Sequence, residues 1–450
     1  PNLARPGDWF TLNGGNIPPA ANDTRSARDG DFNAHEIHTA DIDAVTGRLG
    51  IAAVGNAFAM SGGSARDFNA IRDGDPGIFV FDDRSLFDSG QTVQYTSRAF
   101  LSGFLRTVRE SGNGVVLQVP PSLTTTCTPE EGEPGFTLEA CDQTIRCYTP
   151  VMTNRVQGAW GLIGTNTLYE SFDRFNNLDV LIELQGPILA MDYGGKELGV
   201  TNPFALWIAG GVGGNEVYYR GSLADEPTKV AYPGGVVRDI VMDPDDWRVL
   251  ALADGNGDVW RTRDTGTTWS KITGNLKDLA GFTVGTPPQT IEFIRRITAN
   301  DSLIVGGVGG AYITNTVNLG TWAKLGNNLP SAIVQDLRWD PRPAINTLVA
   351  GTMGRGVWTV PNAASATDDL TISASDMVVE LVEDPPPARP VVDNQTGVEI
   401  GPVRVGSPLS RTFVVRNTSQ TIPLTLEAVS YTHLRAHETK ANLVCRLLLE

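Results

Sequence analysis

A strand phrase that returns about every 45 residues constrains this chain more than any other feature. Its copies are Leu162-Ile163-Gly164, Trp207-Ile208-Ala209-Gly210, Ala251-Leu252-Ala253-Asp254, Ile304-Val305-Gly306 and Leu348-Val349-Ala350-Gly351. Each is an apolar run ending in a small or turn residue, followed by a polar turn and a second run with an aromatic: Tyr169, Tyr218, Trp260, Tyr312 and Trp358. With Gly164, Gly210, Asp254, Gly306 and Gly351 as anchors, the steps are 46, 44, 52 and 45 residues. One such unit cannot bury its own apolar face, so copies must stack. This spacing predicts a propeller of four-stranded sheets.

A second phrase marks the first strand of each unit. Asp239-Ile240-Val241-Met242-Asp243-Pro244 and Asp336-Leu337-Arg338-Trp339-Asp340-Pro341 alternate with period two and stop at a proline, which cannot donate to a ladder. Ile51 to Gly55 and Gly114 to Gln118 read as two further units with longer insertions, giving an all-β, seven-bladed propeller over residues 1–361. The outer-strand phrases Trp269-Ser270-Lys271-Ile272 and Trp322-Ala323-Lys324-Leu325 have a counterpart in Trp9-Phe10-Thr11-Leu12, with no unit before it, whereas the last unit lacks one. The N-terminal strand is therefore expected to complete the last blade and remove two open sheet edges.

The octapeptide Thr262-Arg263-Asp264-Thr265-Gly266-Thr267-Thr268-Trp269 resembles the Asp-box of sialidase-like, sortilin-like and xyloglucanase-like (BNR-repeat) propellers. That resemblance implies a hairpin between outer strands in which Asp264 accepts backbone N–H groups, Gly266 takes positive φ and Trp269 anchors the next strand. Thr262 and Thr268 complete it, and degenerate copies stand at Ser171-Phe172-Asp173-Arg174 and at Thr314 to Trp322. A turn explains these residues without a catalytic role. There is no G-x-S-x-G and no Arg-Ile-Pro phrase of the kind sialidases carry, so a sialidase site is not expected.

Residues 362–368 read as a small-residue linker. Beyond it, Val403-Arg404-Val405-Gly406, Arg411 to Thr418 and Pro423 to Leu426 resemble bacterial Ig-like modules of the choice-of-anchor-D kind. Residues 369–427 would hold about half of such a module, an incomplete β-sandwich. Residues 428–450 look like the translation of sequencing-adapter DNA, a transposase adapter through Thr439 and a flow-cell primer from Asn442, and are expected not to be native. The chain starts at Pro1 and reads as a piece of a longer protein.

The formal charge is −16, or −17 without the three basic and two acidic residues of that last stretch. Such an excess disfavours nucleic acid and anionic membranes as partners, and no run is long and apolar enough to insert in a bilayer. Outside the adapter-like stretch the cysteines are Cys127, Cys141 and Cys147, and a Cys127–Cys141 bridge is a candidate staple in an oxidising compartment.

Several patches invite a chemical reading. His35-Glu36-Ile37-His38 lacks HExxH spacing, and no metal is assigned to it. Asp254-Gly255-Asn256-Gly257-Asp258 begins like a calcium loop, but Thr265 stands where the bidentate Glu belongs, so a blade turn is preferred and no cofactor is expected. Polar loops carrying Arg28, Asp29, Asp31, Arg66, Asp67, Arg72, Asp73 and Asp75 are candidates to converge on one face and bind a ligand.

Two functions follow. The first is a non-catalytic propeller that binds glycan or protein within a multidomain secreted or surface-anchored bacterial protein. The second is a polysaccharide hydrolase of the xyloglucanase-like kind, using paired carboxylates in the propeller cleft.

Overall fold

A computed structural model describes residues 10–11, 36–43, 45–54, 57–61, 68–82, 89–125, 136–295, 301–326, 329–342, 344–366, 377–382, 389–390, 412–417 and 446–448. The chain separates into two units, Pro1–Asp369 and Leu370–Glu450.

The first unit is a succession of antiparallel four-strand meanders, lettered A to G in chain order. A strand of two residues, β1 (Phe10–Thr11), precedes them. Meander A holds β2 (Ile37–Ile42), β3 (Leu49–Ala53), β4 (Ala57–Ser61) and β5 (Phe68–Arg72), and B holds β6 (Pro76–Asp82), β7 (Gln91–Arg98), β8 (Leu105–Glu110) and β9 (Val115–Val119). The short β10 (Thr124–Thr125), β11 (Phe136–Thr137) and helix α1 (Leu138–Cys141) lead into C, built of β12 (Val151–Thr153), β13 (Gly161–Gly164), β14 (Thr167–Ser171) and β15 (Asn177–Glu183). D holds β16 (Ile188–Glu197), β17 (Val200–Gly210), β18 (Glu216–Arg220) and β19 (Thr228–Val230); E holds β20 (Val237–Asp243), β21 (Asp246–Asp254), β22 (Val259–Thr262) and β23 (Ser270–Lys271). After α2 (Leu276–Ala280) come F, with β24 (Thr290–Ile294), β25 (Ser302–Gly307), β26 (Gly310–Asn315) and β27 (Ala323–Lys324), and G, with β28 (Ile333–Asp340), β29 (Thr347–Met353) and β30 (Gly356–Pro361).

The first strand of each meander touches the first strand of the next, and β28 of G touches β2 of A, so these inner strands form a closed ring. Apolar cores lie between successive meanders rather than within them. One joins Val93 and Tyr95 of B to Ile163 and Tyr169 of C, and another joins Ile37 and Ile51 of A to Val349 and Val357 of G. Meanders that stack on both faces leave strands with no exposed side: every residue of β3, β6, β24 and β25 is buried. This architecture is a β-propeller. β1 supplies the fourth strand of G, with Phe10 opposite Thr359 and Thr11 opposite Trp358.

Two departures from the sequence reading have clear causes. Val115-Val116-Leu117 forms the outer strand of B, about half exposed, rather than a buried second strand. The buried second strand of B is β7, whose Thr92, Gln94, Thr96 and Ser97 are polar and hide it from an apolar-run search. The start of the expected linker is not free chain either. Helix α3 (Ala363–Ala366) docks on G, with Ala363 N and Ala364 N donating to Asn346 O and Oδ1 at 2.8 and 3.0 Å.

In the second unit, β31 (Met377–Val382), β32 (Arg389–Pro390), β33 (Thr412–Asn417) and β34 (Arg446–Leu448) form one sheet in the order β32-β31-β33-β34. Most of the Ig-like and adapter-like stretches lie outside the described residues.

Candidate functional site

Inner strands leave one backbone edge facing the propeller axis, where unpaired N–H and C=O groups would be costly. Side chains of the neighbouring meander satisfy many of them. Thr39 Oγ1 and Asp41 Oδ2 of A accept from Phe79 N and Phe81 N of B at 3.0 and 2.8 Å. Asp192 Oδ2 of D accepts from Met242 N of E at 2.7 Å, and Asp239 Oδ2 of E from Ile291 N and Thr290 Oγ1 of F, both at 2.9 Å. Thr290 Oγ1 and Glu292 Oε2 of F accept from Leu337 N and Trp339 N of G, each at 3.2 Å. Asp336 Oδ2 of G then accepts from Ala40 N of A at 2.8 Å, closing the circle. Between B and C, Thr153 Oγ1 donates to Phe81 O at 2.7 Å; between C and D, Arg155 N donates to Tyr193 O at 2.9 Å.

These stitches gather Asp41, Asp192, Asp239, Glu292 and Asp336 around the axis with Arg155 and Arg338 among them. Arg155 Nε lies 2.7 Å from Asp192 Oδ1 and its NH1 3.7 Å from Glu292 Oε1; Arg338 Nε lies 3.7 Å from Asp336 Oδ1. Burial pushes the carboxyls of Asp41, Asp239 and Glu292 up, against the pull of the arginines and of backbone donors. Asp336 rises to about 7, again chiefly by burial. Burial would lower both arginines, but the surrounding carboxylates outweigh it and hold them more firmly charged than usual.

Four of these residues, Asp41, Arg155, Glu292 and Arg338, line a cavity of about 180 Å³ at the end of the channel where the inner strands finish. Its walls include Asp41, Met152, Arg155, Glu292, Arg338 and Trp339. The side chains of Arg155 and Arg338 keep 36% and 37% of their surface open, and both line this cavity. Asp243, at the rim, is pushed up to about 6 by burial and by nearby Asp301. The volume equals that of roughly six waters and falls below the ~300 Å³ at which pockets enclose a drug-sized ligand.

Of the polar-loop residues singled out in the sequence, Arg72, Asp73 and Asp75 are described. Asp73 and Asp75 are exposed in the turn from β5 to β6. Arg66 and Asp67 lie outside the described residues. Arg72 is committed to its surroundings: NH1 donates to Thr96 O and Oγ1 at 3.0 and 2.9 Å, and NH2 to Gly103 O at 2.5 Å. Arg28, Asp29, Asp31, His35 and Cys127 lie outside the described residues. Cys147 is a free thiol. Tyr148 stacks on His38 at 3.9 Å, and burial lowers that imidazole to about 4.

The octapeptide joins β22 to β23. Thr262 Oγ1 accepts from Gly266 N at 2.9 Å and donates to Asp264 Oδ1 at 2.8 Å; Asp264 Oδ1 and Oδ2 accept from Thr268 N and Oγ1 at 2.9 and 2.7 Å. Trp269 packs on Tyr232. Ser171, Asp173 and Asn177 make the corresponding bonds between β14 and β15: Phe175 N to Ser171 Oγ at 2.9 Å, and Asn177 N and Nδ2 to Asp173 Oδ1 and Oδ2 at 2.8 and 2.6 Å. In the third turn Asn315 Oδ1 takes the acceptor role, and Trp322 Nε1 donates across to Ile272 O at 2.9 Å. In the turn from β21 to β22, Asp254 accepts from Gly235 N, Asn256 N, Asp258 N and Tyr232 Oη, while Asp258 pairs with Lys271 and Lys277 at 2.8 and 2.7 Å. Among the described residues, no group of three or more His, Cys, Asp or Glu is arranged to hold a metal ion.

Sequence reasoning quoted Asp239, Asp336 and Arg338 only as strand signature, and missed Asp41, Arg155, Asp192 and Glu292. A usable signal was present, since an acid followed directly by an apolar or aromatic residue recurs in the inner strands β2, β16, β20, β24 and β28.

No protein-family model and no curated protein matches this sequence. Among solved structures, the chain is similar to YCF48 from Cyanidioschyzon merolae, at 8% identity and a TM-score of 0.47, over 79% of this chain and 99% of that one.

Proposed function

We propose that this chain is a non-catalytic, seven-bladed propeller scaffold that recognises a glycan or a protein outside the cell, carried with Ig-like modules in a larger secreted or surface-anchored protein. One observation carries the non-catalytic part: the channel carboxylates are already engaged as acceptors of backbone N–H groups from the next meander. A retaining or inverting hydrolase needs two carboxyl groups free to meet substrate and water, ~5 or ~6.5–9.5 Å apart. Using the belt acids for that would break the seams of the ring.

Four-strand units A to G support the blade number, and the strand phrases around β31 and β33 support the Ig-like reading. The two adapter parts, in order and in frame, support treating residues 428–450 as foreign to the protein. The candidate staple of Cys127 and Cys141 supports an extracellular location.

The test is a release assay on a broad polysaccharide panel together with a glycan and surface-protein array, both on the full chain. Saturable binding without turnover is the expected pair of results. Turnover that disappears in Glu292→Gln or Asp41→Asn would move the hydrolase ahead.

A further inference from the structure

We propose that the cavity at the finishing ends of the inner strands takes one uncharged sugar residue, the end of a glycan, held by the guanidinium groups of Arg155 and Arg338. This rests on the glycan branch of the function proposed above and gives it an address.

The argument is a balance of donors and acceptors. Asp41, Asp192 and Asp239 each accept through both oxygens, Asp41 from Ile42 N and Phe81 N, Asp192 from Tyr193 N and Met242 N, Asp239 from Ile240 N and Ile291 N. Glu292 accepts from Phe293 N and Trp339 N in the same way. The arginines are not so used. Arg338 has its nearest carboxylate at 3.7 Å, beyond hydrogen-bond reach, and Arg155 spends only Nε on Asp192. Within the belt the guanidinium N–H groups are therefore the less used partners, and an occupant that meets them must bring acceptor oxygens.

Charge decides which acceptors. Five carboxyl groups surround two guanidinium groups, with Lys196 at the rim engaged to Asp245 at 3.6 Å. A further anion would enter a belt already crowded with carboxyl groups, and a cation would find carboxylates already accepting backbone N–H groups and two arginines in its way. A neutral polyol avoids both costs: ring and hydroxyl oxygens accept from the guanidinium forks, and its C–H faces meet Met152 and Trp339 in the wall. A volume near 180 Å³ suits one pyranose ring and not a chain of them, so the glycan would enter end-on.

The experiment is titration calorimetry of the full chain with methyl glycosides of neutral hexoses and N-acetylhexosamines, and with the matching methyl hexuronides. We expect saturable binding of at least one neutral glycoside, weaker binding of its uronide, and at least tenfold weaker binding in Arg338→Lys and Arg155→Lys, which keep the charge and lose the fork. Should either variant fail to fold, labelling of wild-type arginines with phenylglyoxal reads the same contact, and bound glycoside should protect Arg155 and Arg338. Glycan binding that both variants retain, or that leaves the two arginines unprotected, overturns this site and leaves the glycan reading standing. A uronide that binds more tightly than its neutral parent overturns the ligand class. No glycan bound by the full chain overturns site and glycan reading together.

Discussion

Asp336 shows how a single side chain ties stability to pH. Its carboxyl closes the ring on Ala40 N, and burial raises it from an ordinary 3.8 to about 7. The folded protein thus holds this proton more tightly than the unfolded chain. The stability it contributes is complete below about pH 3.8 and is lost as pH climbs through about 7. Asp336→Asn keeps an acceptor for Ala40 N and cannot ionise. The variant should melt close to the wild type at pH 4 and above it at pH 8, by at most about 4 kcal/mol at ~1.4 kcal/mol per pKa unit; a melting difference that stays flat with pH rejects this. A second buried set works through geometry. Glu170 accepts from Arg220 NH1 and NH2 at 2.8 and 2.6 Å and from Tyr193 Oη at 2.5 Å, locking C to D, with Arg220 only 1% exposed. Glu170→Ala strands a buried guanidinium and should cost about 3–5 kcal/mol, whereas Glu170→Leu with Arg220→Leu should cost less than the two single changes combined. Urea midpoints of the four proteins close that cycle.

The turn between the third and fourth strands shows one element built from two sequences. In E the fifth position is Gly266 at φ +80, and a Cβ there would meet Val230 at 2.7 Å. In C the same position is Phe175 at φ 66, wholly buried, its ring lying over Gly161 where a Cβ would come within 2.1 Å. The turn tolerates phenylalanine because the ring fills the core between B and C beside Tyr95 and Phe104. Left-handed backbone costs of order 1 kcal/mol and a buried aromatic returns several. Phe175→Gly, which relaxes the backbone, should therefore still lose about 3–5 kcal/mol, and Gly266→Ala should lose more than about 1 kcal/mol through strain and the Val230 contact. Stability gained in Phe175→Gly would mean that strain, not packing, governs this turn. The copy at Ser171 looked degenerate in sequence because a reader expects glycine where φ is positive. The oxygens of Ser171 and Asp173 accept the N–H groups that hold the turn, and those two residues were legible.

At the scale of the molecule, the repeat was legible because stacked meanders bury both faces of their second strands, leaving runs such as Leu348-Val349-Ala350 that no half-exposed strand would show. Meander B was misplaced for the converse reason, its buried β7 being polar and its exposed β9 apolar. The charged belt was the least legible part, since lone acids in a strand read as solvent-facing until the ring places them on the axis. Closure was legible in Trp9-Phe10-Thr11-Leu12, and it separates into two interactions that can be tested apart. β1 adds two residue pairs to the edge of β30. The seam itself is held by Ile37, Ile42, Val349 and Val357 and by Asp336 on Ala40. Removing residues 1–12 should therefore leave the ring folded, about 1–3 kcal/mol less stable for the two or so ladder bonds lost. The bare edge of β30, with Trp358 and Thr359 unpaired on that side, should then draw chains together. Thermal melts and sedimentation velocity over a range of concentrations read both effects. Global unfolding would show that β1 holds the seam; a monomer as stable as the full chain would show that β1 does not pair with β30 at all.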